Sequence, residues 1–435
     1  MSEKSMEMLE VQQLVEQEQF ALAAEHLSRL TPDEQAELLE NLSDNQAADV
    51  FKFMDTAYQE HAVRRLSQRR VLRLVESLDP DDRVRLLEQM PATLARRLLT
   101  GISPTERRMT SELLGYPRES AGRYMTPEFL PLAPTQTVRD ALAQIREKGR
   151  TAETVYVLPV VDDEGHFLGV VHLRELVMSE PDTEVMDLID PGIEPIPATE
   201  DRERAARLIQ STDTLAAPVV DAQGRLLGLV TVDDAMDILD REGEEDLARA
   251  GGAEPLNRPY FSVSVLRLAG ARVVWLLALA VTAVLTVNVL KVFEETLETV
   301  VTLALFIPLL IDTGGNSGAQ SATTLVRAMS VGEVEPSDFF RILLREAIVG
   351  ILLGSMLAAI SMIPVWLFAG KKIAYVVALT LVVICGWASA VGAAVPLAAR
   401  RIGIDPAVAS APFITTLIDA TGLIFYFLIA RAILF

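Results

Sequence analysis

Three rhythms of apolar and polar positions run along this chain of 435 residues. Over residues 1–120, apolar side chains recur every three or four positions, as in Ala36-Leu38-Leu39-Leu42 and Val84-Leu86-Leu87-Met90. That is the spacing of one helix face. A start signal repeats there: a capping residue, then Pro, then acids. It stands at Thr31-Pro32-Asp33-Glu34, Asp79-Pro80-Asp81-Asp82 and Ser103-Pro104-Thr105-Glu106. Pro suits the first helical turn because its missing N–H would be unpaired there anyway. Pro32, Pro80 and Pro104 are spaced 48 and 24 apart, and Thr56, after Asp55, fills the missing step. The spacing predicts a short helical repeat array, a form that binds or braces something.

Residues 121–240 change character. Val155-Tyr-Val-Leu-Pro-Val-Val161 and Ala217-Pro-Val-Val220 are β-rich runs, each followed by a turn, a short strand and a helix. Asp162/Asp221, Gly165/Gly224 and Gly169/Gly228 all keep an offset of 59, which marks an internal duplication. Acids then crowd the chain: Asp233, Asp234, Asp237, Asp240, Glu242, Glu244, Glu245 and Asp246. On a continuous helix Asp233, Asp237 and Asp240 share a face. Like charges so close cost free energy unless a cation neutralises them. Gly251-Gly252, Pro255 and Pro259 end the run. Residues 241–262 therefore read as an acidic connecting helix and linker; the plainer alternative is a solvated acidic face.

Residues 263–435 hold five apolar segments, at 273–290, 299–326, 347–370, 373–399 and 406–430. Each is near the ~18–25 residues that spanning a bilayer needs. The second is interrupted by Pro308, Asp312, Gly314, Gly315, Asn316, Gly318 and Gln320. Non-helical backbone at membrane depth is tolerated only where protein buries it or it lines a wet cavity. The stretch thus predicts a broken helix beside an ion path. With the N-terminus inside, the internal flanks hold Arg267, Arg272, Arg327, Arg341, Arg345, Arg400 and Arg401. The external ones hold Lys291, Lys371, Lys372 and Arg431. The bias favours a cytosolic N-terminus. Glu294, Glu295 and Glu298 then form an external acidic mouth that concentrates cations.

Charge sharpens this picture. Mean hydropathy is +0.29 although 23% of residues are charged, as expected of a chain split into soluble and membrane halves. From Ser262 onward the net charge is +1, so the preceding residues carry −22 of the total −21. An acidic half of that strength repels nucleic acid and anionic lipid and suits a cation. The one cysteine, Cys385, lies in an apolar run, so neither an internal disulfide nor a cysteine metal cluster is expected. Residues 1–10 are acidic and polar, which predicts no signal peptide.

Asp419 sits in the middle of the last apolar segment. An ionisable side chain there is costly and marks an ion path. Thr415 and Thr416 lie one turn before it and Gly422 one turn after. The competing interpretation is a helix–helix hydrogen bond with small residues as packing, but no basic residue lies at similar depth to pair with Asp419. Asp312 either lines the pore, caps a half-helix or faces a cytosolic vestibule. All four histidines (His26, His61, His166, His172) fall in the soluble half. Oxygen ligands without His or thiolate suit a hard cation. Mg²⁺ gives up its waters reluctantly. A wide site with one Asp per chain, doubled by a symmetric dimer, fits a hydrated divalent ion, whether Mg²⁺, Mn²⁺ or Co²⁺.

The duplicated unit resembles a tandem pair of CBS domains, opened by Tyr124-Met-Thr-Pro127. That resemblance implies a regulatory ATP site, with Thr231 and Asp234 at the positions of the ribose-contacting Thr-x-x-Asp. The first copy has His172 and Glu175 there, so at most one site is intact. A dimerising module without nucleotide is the alternative. The whole chain resembles the MgtE family of bacterial magnesium channels. The motifs are Pro308-Leu-Leu followed by Thr-Gly-Gly-Asn-Ser-Gly-Ala-Gln-Ser-Ala-Thr, and Gly403-Ile-Asp-Pro-Ala-Val-Ala-Ser followed by Asp-Ala-Thr-Gly-Leu-Ile.

The resemblance implies a multidomain fold. It comprises an α-helical repeat N domain (1–120), an α/β tandem CBS pair (121–240), the connecting helix (241–262) and an all-α membrane domain (263–435) with five transmembrane helices. It implies a homodimer in the bacterial plasma membrane, its pore lined by the second and fifth spans of both subunits. Asp419, Ala411, Thr415, Asn316 and Asp312 would be the pore residues. Intracellular Mg²⁺ would bridge Asp234, Asp237, Glu242, Glu245, Asp246 and an N-domain acid such as Asp81, and so close the pore. Asp312 stands where many relatives are uncharged, Ala411 replaces an Asn of some relatives, and Arg85 falls near where an N-domain acid is expected. A proton- or ion-coupled secondary transporter is the competing reading. Enzymatic activity is not expected, since no P-loop, zinc-protease motif or nucleophile–base pair is found.

Overall fold

The computed structural model describes residues 3–190, 192–256, 263–330, 332–406 and 411–435. The chain divides into two compact units, Met1–Glu242 and Gly243–Phe435.

The first unit opens with α1 (Glu3–Glu16), α2 (Phe20–Ser28), α3 (Pro32–Asn41), α4 (Asp44–Lys52) and α5 (Thr56–Arg65). It continues with α6 (Gln68–Ser77), α7 (Pro80–Gln89), α8 (Ala92–Gly101) and α9 (Pro104–Leu114). Odd helices from α3 start at 32, 56, 80 and 104, as the proline spacing predicts. Even helices start at 20, 44, 68 and 92, with the same step of 24. Each repeat is thus a helix pair, one member of which carries the proline signal in three of the four repeats. The even helices start without proline at N1; Ser43 and Ser67 cap α4 and α6 by accepting from the backbone N–H of Gln46 and Arg70. Leu27, Leu38, Leu39, Val50, Phe51, Leu74 and Leu86 form the continuous core. Arg83 is 1% exposed yet fully engaged. It donates to the carbonyls of Val75 (2.9 Å) and Leu78 (2.7 Å) and to Thr110 Oγ1 (3.1 Å), tying α6, α7 and α9 together.

The same unit continues with α10 (Ala121–Tyr124), α11 (Val138–Lys148), β1 (Val157–Val161), β2 (Phe167–His172) and α12 (Leu173–Met178). Then come β3 (Ile196–Pro197), α13 (Arg202–Thr212), β4 (Ala216–Val220), β5 (Leu226–Thr231) and α14 (Val232–Ala250). The antiparallel pairs β1–β2 and β4–β5 repeat each other in register, including a bulge at Val160/Val161 and at Val219/Val220; β3 adds in parallel beside β4. The turn residues explain the offset of 59. Asp162 Oδ1 accepts from the N–H of Glu164 and His166, and Asp221 Oδ1 from those of Gln223 and Arg225. Gly165 and Gly224 take φ of +84° and +83°, a region in which residues with a Cβ are strained. The two turns also pair with each other, Phe167 N to Gly224 O and Leu226 N to Gly165 O, both 3.0 Å. Val84 of α7 and Leu113 of α9 share one apolar core with Ala121, Tyr124, Ala205, Val230 and Ile238. The helical array and the second repeat are therefore packed as one body.

α14 runs without interruption from the end of β5 to Ala250 and into the second unit. That unit contains α15 (Val265–Val292), α16 (Glu294–Thr299), α17 (Ile307–Ser330), α18 (Phe339–Ala369), α19 (Lys371–Arg401) and α20 (Ala411–Leu434). Four of these, α15, α18, α19 and α20 from Pro412, are long and apolar enough to cross a membrane. At 24 residues α17 is about 36 Å long. It is not among the four candidate spans; its polar residues at and after Asp312 keep it less apolar.

The expected helix break at residues 308–320 does not occur: α17 is continuous through it. Pro308 is the second residue of the helix, where it breaks no hydrogen bond, and a 3₁₀ turn over Val301–Phe306 precedes it. The glycines serve close packing instead. A Cβ at Gly318 would fall 2.1 Å from Ile418 Cδ1, and one at Gly392 of α19 would fall 2.3 Å from the Gly318 carbonyl. α18 meets α19 in the same way at Gly350 and Gly354.

Candidate ion path and cation sensor

The apolar face of α17, with Leu310, Gly314, Ser317, Gly318, Ser321 and Leu325, is buried. Ser317 and Ser389 share a hydrogen bond of 3.0 Å, and the Ser321 hydroxyl lies 2.9 Å from the Ser389 carbonyl and 2.8 Å from Glu346 Oε2. These bonds satisfy the polar atoms between α17, α18 and α19. The opposite stripe of α17 is exposed and consists of Asp312, Asn316 and Gln320, spaced by four.

Asp419 of α20 lies beside this stripe. A Cβ at Gly315 would be 3.3 Å from Thr415 Cγ2 and 3.7 Å from Asp419 Oδ1. The missing side chain at Gly315 therefore brings α20 with its carboxylate against α17. Asp312 stands on α17 about one turn before Gly315. Thr415 and Thr416 each donate to the Pro412 carbonyl at 2.9 Å. Their hydroxyl protons are thus spent, and the oxygens remain acceptors. α20 starts at Ala411, whose side chain lies outside the described residues. Half-buried Asp419, exposed Asp312 and Asn316, and Thr415 thus share one polar surface of α17 and α20. Tyr426 anchors the far end by donating to the Leu303 carbonyl at 2.9 Å.

The second site is built on the first turns of α7 and α14. Asp79 precedes Pro80, so Asp81 and Asp82 fall in the first turn of α7, where the helix dipole favours carboxylates. Asp234 sits in the first turn of α14. Oxygens of Asp81, Asp82 and Asp234 lie within 4.8 Å of one another. Asp81 and Asp234 are only 3% and 5% exposed. Arg85 Nη2 is 2.9 Å from Asp234 Oδ1, 3.7 Å from Asp81 Oδ2 and hydrogen-bonded to Asp82. Its Nη1 is 2.8 Å from Asp237 Oδ2. The second oxygen of Asp234 accepts from Thr231 Oγ1 at 2.9 Å, so the two residues expected on a ribose are bonded to each other. Asp81 Oδ1 and Glu153 Oε2 are buried and accept no hydrogen bond.

Burial pushes the Asp81 carboxyl well up, and the Asp234, Asp82 and Glu153 charges add to it while Arg85 opposes. Burial raises Asp234 to about 6 against the pull of Arg85. Burial likewise raises Glu153 to about 8. These oxygens have the chemistry for a hard divalent cation, and Asp81 Oδ1 is an acceptor with no donor. A guanidinium already stands among three of the carboxylates.

The other acids on α14 are placed differently. Glu242 accepts from Arg202 Nε (2.9 Å) and Nη2 (2.7 Å). Glu245 lies 3.2 Å from Arg249, and Arg249 bonds Asp405 in the link between α19 and α20. Asp246 lies one residue further along the helix. A Cβ at Gly252, just past α14, would be 3.2 Å from Pro412 Cγ at the start of α20. The structure thus gathers Asp81 with Asp234 and Asp237, and it places Glu242 and Glu245 on separate arginines. Sequence reasoning missed Glu153, for which no local pattern exists. It also missed the grip of Arg85, whose one local signal is the spacing of four from Asp81 and three from Asp82.

Comparison with known proteins covers both units. Residues 307–429 match the model of the MgtE divalent cation transporter family, residues 19–119 that of the MgtE intracellular N domain, and residues 121–181 and 185–241 that of the CBS domain. The magnesium transporter MgtE of Thermus thermophilus is 38% identical over 78% of this chain and 75% of its own. The Bacillus subtilis protein of that name is 30% identical over 91% of this chain and 88% of its own. A crystal structure of the cytosolic domain of the Mg²⁺ channel MgtE in complex with ATP aligns with 53% of this chain and 99% of its own. The TM-score there is 0.41 and the identity 28%. Matched from the helical array through the membrane helices, the chain belongs to the MgtE family of magnesium transporters.

Proposed function

We propose that this protein is a Mg²⁺-selective channel of the bacterial plasma membrane, a homodimer with cytoplasmic N-termini, closed by intracellular Mg²⁺. α17 is the second of five spans, beside the four that are apolar enough on their own, and the surface formed by Asp419, Thr415, Asn316 and Asp312 lines the path. The observation that carries this reading is the placement of Asp419 against Gly315, beside an exposed polar stripe on an otherwise apolar bundle. Charged and amide side chains do not face lipid at that density, and a water-filled path satisfies them. A carboxylate beside a wide path holds the ion through its water shell, which suits Mg²⁺.

Closure starts at α14. Its acids beyond Asp237 repel one another when Mg²⁺ is scarce and are bridged when it is plentiful. The end of the same helix is tied to the link before α20 through Arg249 and Asp405, and Gly252 abuts Pro412. A shift of α14 is thereby passed to the helix that carries Asp419. ATP at the CBS pair would act as a regulator rather than a fuel, and it would have to part Thr231 from Asp234.

The test is patch current in Mg²⁺-only solution, with cytosolic Mg²⁺ stepped upward, for wild type and Asp419→Ala. The expected result is a current that internal Mg²⁺ shuts and that the substitution abolishes or makes permeable to monovalent ions. Uptake without current that follows the proton gradient would instead establish a coupled transporter.

A further inference from the structure

We propose that Arg85 is a built-in cation that holds the helical array docked on the CBS pair whether or not Mg²⁺ is present. Two acids on successive turns of α14 take its two terminal nitrogens, Asp234 at 2.9 Å and Asp237 at 2.8 Å. Asp82 on its own helix takes a further bond. A planar fork matches two carboxylates in this way, and a bare ammonium does not. A Mg²⁺ ion bridging the same acids directly would need their oxygens at about 2.0–2.1 Å. The guanidinium stands among those oxygens and repels a second cation. Arg85 is also covalently part of α7, so its local concentration does not fall when Mg²⁺ does. The apolar seam around Val84 and the ion pair of Arg123 with Glu88, at 2.9 Å, lie on neighbouring turns of α7 and are covered while the joint stays shut. Sensing by bridging carboxylates at this joint is thereby replaced by a permanent clasp, and Mg²⁺ must act further along α14. The proposal concerns the joint alone and stands whatever the membrane half transports.

The experiment uses the full-length protein in detergent, with Cys385→Ala to remove the native thiol and spin labels at Glu37→Cys and Met178→Cys. These positions are exposed, on the array and on the first CBS repeat. Interlabel distances are measured with Mg²⁺ chelated and at millimolar Mg²⁺. Wild type should show one short distance under both conditions. Arg85→Ala should lengthen on chelation, by about a Debye length (~8 Å) or more because repulsion fades only there, and shorten again with Mg²⁺. A wild type that opens on chelation overturns the clasp. Arg85→Ala that stays short without Mg²⁺ overturns it too, since the apolar seam would then suffice. Arg85→Ala that stays open at millimolar Mg²⁺ shows that arginine and metal are not interchangeable here and also overturns the proposal.

Discussion

Glu153 shows how one residue sets the pH response of the soluble half. Its carboxyl is raised from 4.5 to about 8, first by burial and then by the charges of Asp234, Asp79 and Asp233, against a hydrogen bond with Thr126. Asp81 is the further acid that feels it. Between those two values the folded state keeps a proton that the unfolded chain releases. The folded state then binds more protons, so stability falls as pH rises through the window. With Mg²⁺ chelated, the thermal midpoint of the full-length protein should drop from about pH 5 to about pH 8. Glu153→Gln, which stays neutral, should drop less and melt higher than wild type at the alkaline end, while matching it at the acid end. Parallel pH profiles for the two proteins would refute this account of Glu153.

Between elements, the glycines of α17 and α19 decide how the membrane helices meet. At Gly392 an added Cβ would press on the Gly318 carbonyl at 2.3 Å, and backbone cannot swing away. At Gly318 it would meet the tip of Ile418 at 2.1 Å, which can rotate, and the Ala388 carbonyl at 3.1 Å. Overpacking costs about 1–3 kcal/mol. Gly392→Ala should therefore lower the melting temperature in detergent more than Gly318→Ala does, and equal losses would contradict the backbone contact.

This is also where the sequence misled. Gly, Asn and Pro in an apolar run look alike whether they break a helix or let one pack tightly, and only the neighbours α19 and α20 decide between the two. Local signals fared better. Proline at N1 located α3, α7 and α9, the step of 24 located α5 at Thr56, and the Asp and Gly of each CBS turn located both hairpins, because each signal acts within a few residues of itself. The alternate helices escaped because a serine cap, as at α4 and α6, is a weaker mark than proline at N1, and α2 and α8 have no side-chain cap at all. Asp419 was legible as a lone carboxylate in an apolar segment. Arg85 was not, since Asp234 and Asp237 lie some 150 positions away and their approach depends on the packing of Val84 against the CBS pair.

For the whole molecule, the exposed stripe of Asp312, Asn316 and Gln320 sets the strongest demand. Such a stripe within a membrane bundle needs water or a partner. In the proposed homodimer a second copy related by a twofold axis would supply both, by placing the two stripes and the two Asp419 carboxylates across a shared wet path. The width of that path follows from the ion. Mg²⁺ with its waters at about 2.0–2.1 Å needs a passage of about 7 Å clear of side chains. Backbones on either side are then further apart than the ~7 Å between α-carbons that a disulfide tolerates. In a Cys385→Ala background, Asn316→Cys should not join its twin under mild oxidation. A bifunctional thiol reagent long enough to cross the path should crosslink it to a dimer on a denaturing gel, and Mg²⁺ permeation should stop when it does. A direct disulfide would make the path too narrow for a hydrated ion, and no crosslink with any reagent would mean that α17 does not face its twin.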